Sequence, residues 1–299
     1  MKSIADKLAG KVKGKVKTGV PLSELTTYQI GGPAEILIEP KEPNDIAAVV
    51  KFCRKAAVPL TVLGGGSNVL APDEGVRGVL LRLFDKASRP ELQKEHLSVS
   101  AATSSETLAL FAAEKGVKNF EFLYDIPGAL GGAIVQNASN DYGELSALIE
   151  DVTFIDESGN PTTLPARELG FGYRNSRFKE RFGVVVSARL KIAERGAKDE
   201  IRERMEEIRR IRRGKFPMEY PNCGSVFKRP PGDYAGRLIE SAGLGGLRVG
   251  NAMVSPKHKN FIVNLGGAKA SDIKALVEKI QSAVEGKFGV ELERELIYL

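Results

Sequence analysis

The sequence predicts an α+β chain of two or three domains, and three observations point there. Apolar residues recur at helical spacing in some windows and in short strand-like runs in others, without the regular alternation of a βαβ series. At 299 residues the chain is longer than one ordinary core serves. Two glycine-rich loops, Gly64-Gly65-Gly66-Ser67-Asn68 and Ile126-Pro127-Gly128-Ala129-Leu130-Gly131-Gly132-Ala133, each sit where a strand should end.

The elements follow in order. Residues 34–39 and 60–63 read as strands, and between them Ile46, Val49, Val50 and Cys53 recur at helical spacing. Val79 to Leu83 and Leu97 to Ser100 are further strands. A helix is expected over Ser104 to Lys115, with Leu108, Phe111 and Ala112 inward and Ser104 or Ser105 as its N-cap. Strands return at Val152 to Ile155 and Val184 to Val186, and Glu157-Ser158-Gly159-Asn160-Pro161 is a hairpin-type turn. The polar stretch from Ala193 to Asp199 is read as a domain boundary. After it come a basic helix, a proline-rich crossing (Pro217, Pro221, Pro230, Pro231) and a helix over 271–285 with Ile273, Leu276, Val277, Ile280 and Val284 on one face.

The glycine loops carry the first functional hint. Consecutive glycines lift the Cβ barrier to positive φ and present successive N–H groups, which form a nest for a phosphate or pyrophosphate. Two such loops in one half of the chain suggest a ligand with a long phosphate spine, a dinucleotide above all. Taken singly, each loop reads first as a tight turn, and only the pair, with Ser67 and Asn68 as donors, brings the two readings level. Neither is a G-x-x-x-x-G-K-[ST] loop nor a G-x-G-x-x-G turn between strand and helix, so a P-loop NTPase and a Rossmann nicotinamide site are disfavoured.

Composition narrows the class further. With 42% hydrophobic and 27% charged residues, no apolar run near the ~20 residues that span a bilayer, and no apolar signal core after Met1-Lys2-Ser3-Ile4-Ala5-Asp6, a cytoplasmic protein without membrane contact is expected. Cys53 and Cys223 are far apart, and His96 and His258 are the only histidines, which argues against a disulfide framework or a metal site. The net charge of +6 is uneven: Ile201 to Lys215 holds six Arg and Lys215 against three Glu. That segment is open to three readings: a nucleic-acid surface, a solvated face opposite the stripe Ile201, Met205, Ile208 and Ile211, or a helix end that meets a phosphorylated small molecule. The absence of Trp argues against base-stacking surfaces.

Three more segments carry reactive groups: Phe171-Gly172-Tyr173-Arg174, Cys223-Gly224-Ser225-Val226-Phe227-Lys228 and Glu291-Leu292-Glu293-Arg294-Glu295. Alone, each reads as turn or surface. Together with Thr26-Thr27-Tyr28-Gln29-Ile30-Gly31-Gly32-Pro33-Ala34, the two glycine loops, and Val254-Ser255-Pro256-Lys257-His258 leading to Phe261-Ile262-Val263-Asn264, they form an ordered series from about Thr26 to Leu296. That series resembles the UDP-N-acetylenolpyruvoylglucosamine reductase family, in its shorter class without an extra tyrosine-bearing loop.

The resemblance implies an FAD-binding fold of the vanillyl-alcohol-oxidase/p-cresol-methylhydroxylase type. It implies two α+β FAD subdomains, residues 1–90 and 91–195, and a C-terminal α+β substrate domain, residues 196–299. It implies NADPH as hydride donor, a UDP-sugar enolpyruvyl substrate, a place in peptidoglycan precursor synthesis, and a monomer that binds no nucleic acid. Reduction of an enol ether conjugated to a carboxylate needs a hydride at one carbon and a proton at its neighbour, and no side chain donates hydride. By resemblance, Arg174 and Glu295 stabilise the enolate and Ser225 gives the proton. A carboxyl beside that charge can help only when protonated, and a serine hydroxyl needs activation by its neighbours. Leu63, Gly64, Gly65, Gly66, Ser67, Asn68, Ile126, Pro127, Gly128, Gly131, Gly132 and Asn137 are the implied cofactor residues, with the side chains of Ser67 and Asn68 as extra donors. Tyr173, Lys215 and Lys228 are the implied substrate contacts. Neither histidine lies in or beside a glycine loop, so FAD is expected to be held non-covalently.

Three departures from the family pattern stand out. Asn137-Ala138-Ser139-Asn140-Asp141-Tyr142-Gly143 replaces Asn-Ala-Gly-Ala-Tyr-Gly, Arg229 stands in place of Asn, and Ile297 in place of Arg. Two other classes fit parts of the pattern: a sugar or alcohol oxidase on the same FAD fold, and a non-catalytic binder of nucleotide or nucleic acid.

Overall fold

A computed structural model describes residues 3–299; Met1 and Lys2, the first two residues of the segment expected to lack an apolar signal core, lie outside it. The chain forms two compact units, neither continuous in sequence. The first comprises Met1–Gly19, Glu35–Gly65 and Arg77–Arg210, the second Val20–Ala34, Gly66–Val76 and Ile211–Leu299.

The first unit holds two sheets. One has four strands in the order Lys15–Pro21, Pro33–Glu39, Val76–Arg82, Leu60–Leu63. The last two are parallel, Leu60 opposite Val79 through Leu63 opposite Arg82. Residues 64–75 connect this parallel pair, and helix Pro43–Ala56 lies in the chain between Pro33–Glu39 and Leu60–Leu63. Proline at its first turn starts it, left-handed Ala57 (φ 50°) ends it, and Ile46, Val49, Val50 and Cys53 are its buried face, as the spacing predicts. The second sheet is antiparallel, in the order Pro161–Pro165, Ile149–Ile155, Val184–Lys191, His96–Ser100, Glu91–Gln93. The turn at 157–161 closes its first hairpin as expected.

Helix Ser105–Glu114 packs on that second core through Leu108, Ala109, Ala112 and Ala113. Its N-cap is Ser104, whose Oγ accepts the Thr107 N–H at 3.0 Å, satisfying a donor that the first turn leaves open. The basic helix Lys198–Lys215 buries Ile201, Met205 and Ile208. Ile211, expected on the same stripe, is 42% exposed instead. The core that Ile201 and Met205 join belongs to the first unit, and Ile211 is the first residue beyond that unit.

The second unit is built around helix Ala270–Phe288, which buries Ile273, Leu276, Val277, Ile280 and Val284 and ends at left-handed Gly289 (φ 66°). Its three-stranded antiparallel sheet runs Arg248–Val249, Ala252–Val254, Ile262–Asn264. A parallel pair joins Ile297–Tyr298 to Val69–Leu70. Buried Tyr28 donates its hydroxyl to the Ile262 carbonyl at 3.1 Å. Buried Asn264 donates Nδ2–H to the Tyr28 carbonyl at 2.9 Å and accepts the N–H groups of Gly266 and Ala268. The opening motif and the Phe261-to-Asn264 motif are therefore one packed structure. Helix Ile4–Ala9, strand Lys15–Pro21 and helix Leu130–Val135 were not expected from periodicity, being short or glycine-rich. Among the described residues no helix is long and apolar enough to cross a membrane.

Leu276 is fully buried in the core of the second unit. Leu276→Ala is expected to destabilise that unit by about 2–5 kcal/mol, read as a lower urea midpoint at an unchanged slope.

Candidate active site

The two glycine loops meet main chain to main chain within the first unit. A Cβ on Gly65 would stand 2.7 Å from Gly128 Cα, and one on Gly64 would lie 3.7 Å from the Gly132 nitrogen. Closeness, more than positive φ, is what these positions require. Gly66 alone in the first loop (φ 67°) and Gly128 alone in the second (φ 134°) are left-handed. Gly131 and Gly132 are also not loop residues: they lie in the short helix Leu130–Val135. Gly131 packs against Ala101, 3.1 Å from a notional Cβ, while nothing lies within 4 Å of a Cβ on Gly132.

The main-chain donors here fall into two sets. Leu130 and Gly131 give their N–H groups to the carbonyls of Thr103 and Ala101, both at 2.9 Å. Among the described residues nothing accepts the N–H groups of Gly64, Gly65, Gly128, Ala129 or Gly132. Uncharged donors on a surface stripped of side chains suit a phosphate-bearing cofactor. The open space over Gly132 is a cradle that a methyl group would fill, so the residues present fit FAD. Leu63, at the strand end, is buried, and before the turn Ile126 is half-buried and Pro127 exposed.

Beyond that helix the chain forms a polar cluster. Left-handed Asn137 (φ 44°) is buried, its Nδ2 donating to Glu144 Oε1 at 2.8 Å and to the Gly172 carbonyl at 3.0 Å. Its Oδ1 accepts the Ser146 N–H at 3.1 Å, so its side chain is engaged with protein groups and not presented as a cofactor donor. Arg174 is also left-handed (φ 52°), and its Nη1 donates to Ser139 O at 3.1 Å and Ser139 Oγ at 2.9 Å. Lys179 Nζ donates to the Arg174 carbonyl at 2.7 Å. The Ser146 hydroxyl and the Asn137 amide hold the Glu144 carboxyl below its usual range, and the charge of Arg174 adds to this. Tyr173 is exposed, its ring 5.5 Å from the Arg174 guanidinium carbon.

The second unit brings Ser225 and Glu295 onto adjacent segments. Lys228 N–H donates to the Glu293 carbonyl at 2.8 Å, and Phe227 bridges Arg294 antiparallel. Both Glu295 and Leu296 donate N–H groups to the Val226 carbonyl, at 2.8 and 3.2 Å. Two residues against one is the pattern of a β-bulge, which turns a side chain out of register. Buried Asn260 clamps the other side, accepting the Phe227 N–H at 3.0 Å and donating to its carbonyl at 2.9 Å. Burial pushes the Cys223 thiol up to about 12, and the negative charge of Glu295 contributes. Both Ser225 and Glu295 are half-buried.

The remaining candidates have other partners. Asn68 Nδ2 donates to the Glu295 carbonyl at 3.1 Å, a role that sequence reasoning missed. Lys228 forms an ion pair with Glu293. Lys215 is exposed at the end of its helix, and Phe216 beside it stacks on Phe261 at 5.1 Å. Burial lowers the pKa of His258 in the same aromatic group, and the charge of Lys215 adds to this.

Comparison with known proteins agrees with this geometry. Residues 34–164 match the family model of an FAD binding domain, and residues 216–299 match that of the UDP-N-acetylenolpyruvoylglucosamine reductase C-terminal domain. A variant of berberine bridge enzyme shares the fold alone, at TM-score 0.50 and 15% identity over 63% of this chain and 43% of that one. Fold and site thus define an FAD-dependent oxidoreductase. UDP-N-acetylenolpyruvoylglucosamine reductase 2 of Symbiobacterium thermophilum is 39% identical over 99% of this chain and 96% of its own length. The corresponding reductase of Caldanaerobacter subterraneus subsp. tengcongensis is 39% identical over 98% and 97%. The crystal structure of the reductase from Thermus caldophilus superposes at TM-score 0.81, with 38% identity over 95% of this chain and 99% of that one. The chain belongs to the UDP-N-acetylenolpyruvoylglucosamine reductase family, whose place is in peptidoglycan precursor synthesis.

Gly132→Ala tests the cradle. The added methyl meets no protein atom within 4 Å, and alanine is the better helix former by about 1 kcal/mol, so the apoprotein should melt no lower than the parent. FAD affinity, titrated by flavin fluorescence, should fall about tenfold or more, a loss of about 1.4 kcal/mol. Unchanged affinity would remove Gly132 from the cofactor site.

Proposed function

We propose that this chain reduces UDP-N-acetylglucosamine enolpyruvate to UDP-N-acetylmuramate at the expense of NADPH, with FAD held non-covalently. The observation that carries the reading is the bulged pairing of Val226 with Glu295 and Leu296, which sets a hydroxyl and a carboxyl on hydrogen-bonded segments of one unit. FAD, when bound, would supply the hydride-transfer chemistry that links NADPH to the methylene carbon of the substrate.

The chain's own residues do the rest. The main-chain donors of Gly64, Gly65, Gly128, Ala129 and Gly132 hold cofactor phosphate, with Gly66, Ser67 and Asn68 continuing the first loop. Arg174 places positive charge where the enolate develops, which lowers the barrier most when the charge is held in place beforehand. Ser225 Oγ gives its proton to the carbon beside the one that receives hydride, and Glu295 shares the stabilisation of the carboxylate side. Lys215, at an exposed helix end, meets ligand phosphate. Tyr173 and Lys228 complete the substrate contacts, Lys228 being held by Glu293 at the edge of the Ser225 segment.

The FAD subdomains are assigned to residues 1–90 and 91–195 and the substrate domain to 196–299. In support, every strand of the four-stranded sheet precedes residue 90, and every strand of the five-stranded sheet follows it. Non-covalent attachment accords with His96, which bonds Gln93 at the edge of the second sheet. We place the enzyme in the cytoplasm as a monomer.

The reading is tested by the visible spectrum of the purified protein, taken anaerobically with NADPH and then with the enolpyruvyl sugar nucleotide. Flavin bands should bleach with NADPH and return with the substrate. Bands that return only with oxygen would keep the fold and overturn the substrate, in favour of an oxidase. In Ser225→Ala, flavin reduction by NADPH should stay within about twofold of the parent while reoxidation slows about 10²–10⁴-fold, the range of a lost general acid. Glu295→Gln should divide the two half-reactions in the same way, and equal losses in both would overturn these roles.

A further inference from the structure

Ser139 has no place in the roles given above, yet it holds the guanidinium of Arg174 through two atoms. Both its carbonyl and its hydroxyl accept from Arg174 Nη1, at 3.1 and 2.9 Å. We propose that Ser139 is a positioning residue for Arg174, setting the guanidinium before the enolpyruvyl substrate arrives. The inference rests on the reading of Arg174 as the cation that faces the substrate carboxylate.

Three observations carry it. First, Ser139 is itself fixed. It opens a two-residue antiparallel ladder, opposite Glu144, with Asn140 opposite Gly143. Asn140 Nδ2 anchors that ladder to the Phe122 carbonyl at 2.9 Å, and Asn140 Oδ1 accepts the Tyr142 N–H at 2.9 Å. Second, Arg174 is held at both ends. Its backbone is left-handed, a costly conformation for a residue with a Cβ, and its carbonyl accepts from Lys179. With the backbone set and the guanidinium tied to Ser139, a long side chain has lost most of its rotamer freedom before ligand binds. Third, the acceptors are neutral. A serine hydroxyl and a peptide carbonyl orient a guanidinium without themselves neutralising it, and the nearby Glu144 carboxyl feels its charge. Glu144 lies across the ladder from Ser139, with Asn137 and Ser146 both bonded to its Oε1.

Of the two contacts, the one from Oγ depends on the side chain at position 139. The segment Ala138-Ser139-Asn140 is also where this chain departs from the Gly-Ala of the family pattern. Small displacements of a charged group near reacting atoms cost rate steeply, so the hydroxyl should be felt in the half-reaction that uses Arg174 and not in the other.

The experiment uses the FAD-loaded enzyme and stopped-flow absorbance, with NADPH and the enolpyruvyl sugar nucleotide in separate steps. Ser139→Ala is expected to slow flavin reoxidation by substrate about tenfold, well inside the range for misplaced catalytic groups. Reduction by NADPH, FAD affinity and melting temperature should stay at parent values. Ser139→Thr, which keeps the hydroxyl, should recover most of the rate. Introduced into Arg174→Lys, Ser139→Ala should add less than about twofold, because groups that act as a unit are not additive. Reoxidation of Ser139→Ala at the parent rate overturns the inference, as does the same tenfold loss in the Arg174→Lys background. A parent enzyme that ignores the enolpyruvyl sugar nucleotide overturns the functional reading instead, and the two failures are distinguishable.

Discussion

The first unit depends on one close approach, that of Gly65 to Gly128. The two backbones can come this near only because Gly65 carries no Cβ, since a methyl there would lie 2.7 Å from the opposite Cα. Around that contact the unit is tied together. Strand Leu60–Leu63, from the four-stranded sheet, ends at Gly64. The Ser105 N–H, opening the next helix, reaches the Gly128 carbonyl at 3.1 Å, and Leu130 and Gly131 reach the carbonyls of Thr103 and Ala101, just beyond strand His96–Ser100. Strand ends of both sheets therefore converge on the same turn. The N–H groups of Gly64, Gly65, Gly128, Ala129 and Gly132 are the donors that those bonds leave over.

The second unit depends on side-chain amides where the first depends on missing side chains. Asn260 spans both main-chain groups of Phe227, and Asn264 ties Tyr28 to the loop at 266–268. Each buried amide is satisfied on both its nitrogen and its oxygen, and a partly satisfied amide in a core would cost more than it contributes. Segments more than 200 positions apart in sequence, such as Tyr28 and Asn264, are thereby fixed to each other. The bulge at Glu295 and Leu296 is held in this frame, with Asn68 bonded to the carbonyl of the same Glu295.

Much of this was legible in the sequence, and the failures share a cause. Periodicity located helices 43–56, 105–114 and 270–288 and the principal strands, since each has a side-chain pattern with one buried face. It put Ile211 one turn too far inside, because a stripe shows which face is apolar and not where the core beneath it stops. Glycine density marked both loops correctly, yet Gly131 and Gly132 proved helical: glycine records that a Cβ is not tolerated without saying whether space or φ forbids it. The partners of Ser139, Asn68 and Asn137 were invisible. These side chains act through hydrogen bonds to groups 7 to 227 positions away, and no local pattern encodes those.

The chemistry of the two kinds of donor then follows from their cost. Main-chain N–H groups in a packed turn are already ordered, carry no net charge and need no reorganisation, so they suit a ligand that remains bound. A guanidinium offers full charge, but its flexible stem must be ordered before that charge can act on a particular atom. In this chain the ordering comes from the left-handed backbone at Arg174, from Lys179 on its carbonyl and from Ser139 on its nitrogen, all within one cluster anchored by Asn137. The fully buried residue of that cluster is the Asn137 amide, while Arg174 is half-buried and Glu144 and Lys179 are exposed. That arrangement lets a neutral, fully satisfied network carry the structural burden and keeps the half-buried Arg174 cation in contact with solvent, so the cluster buries no charge completely.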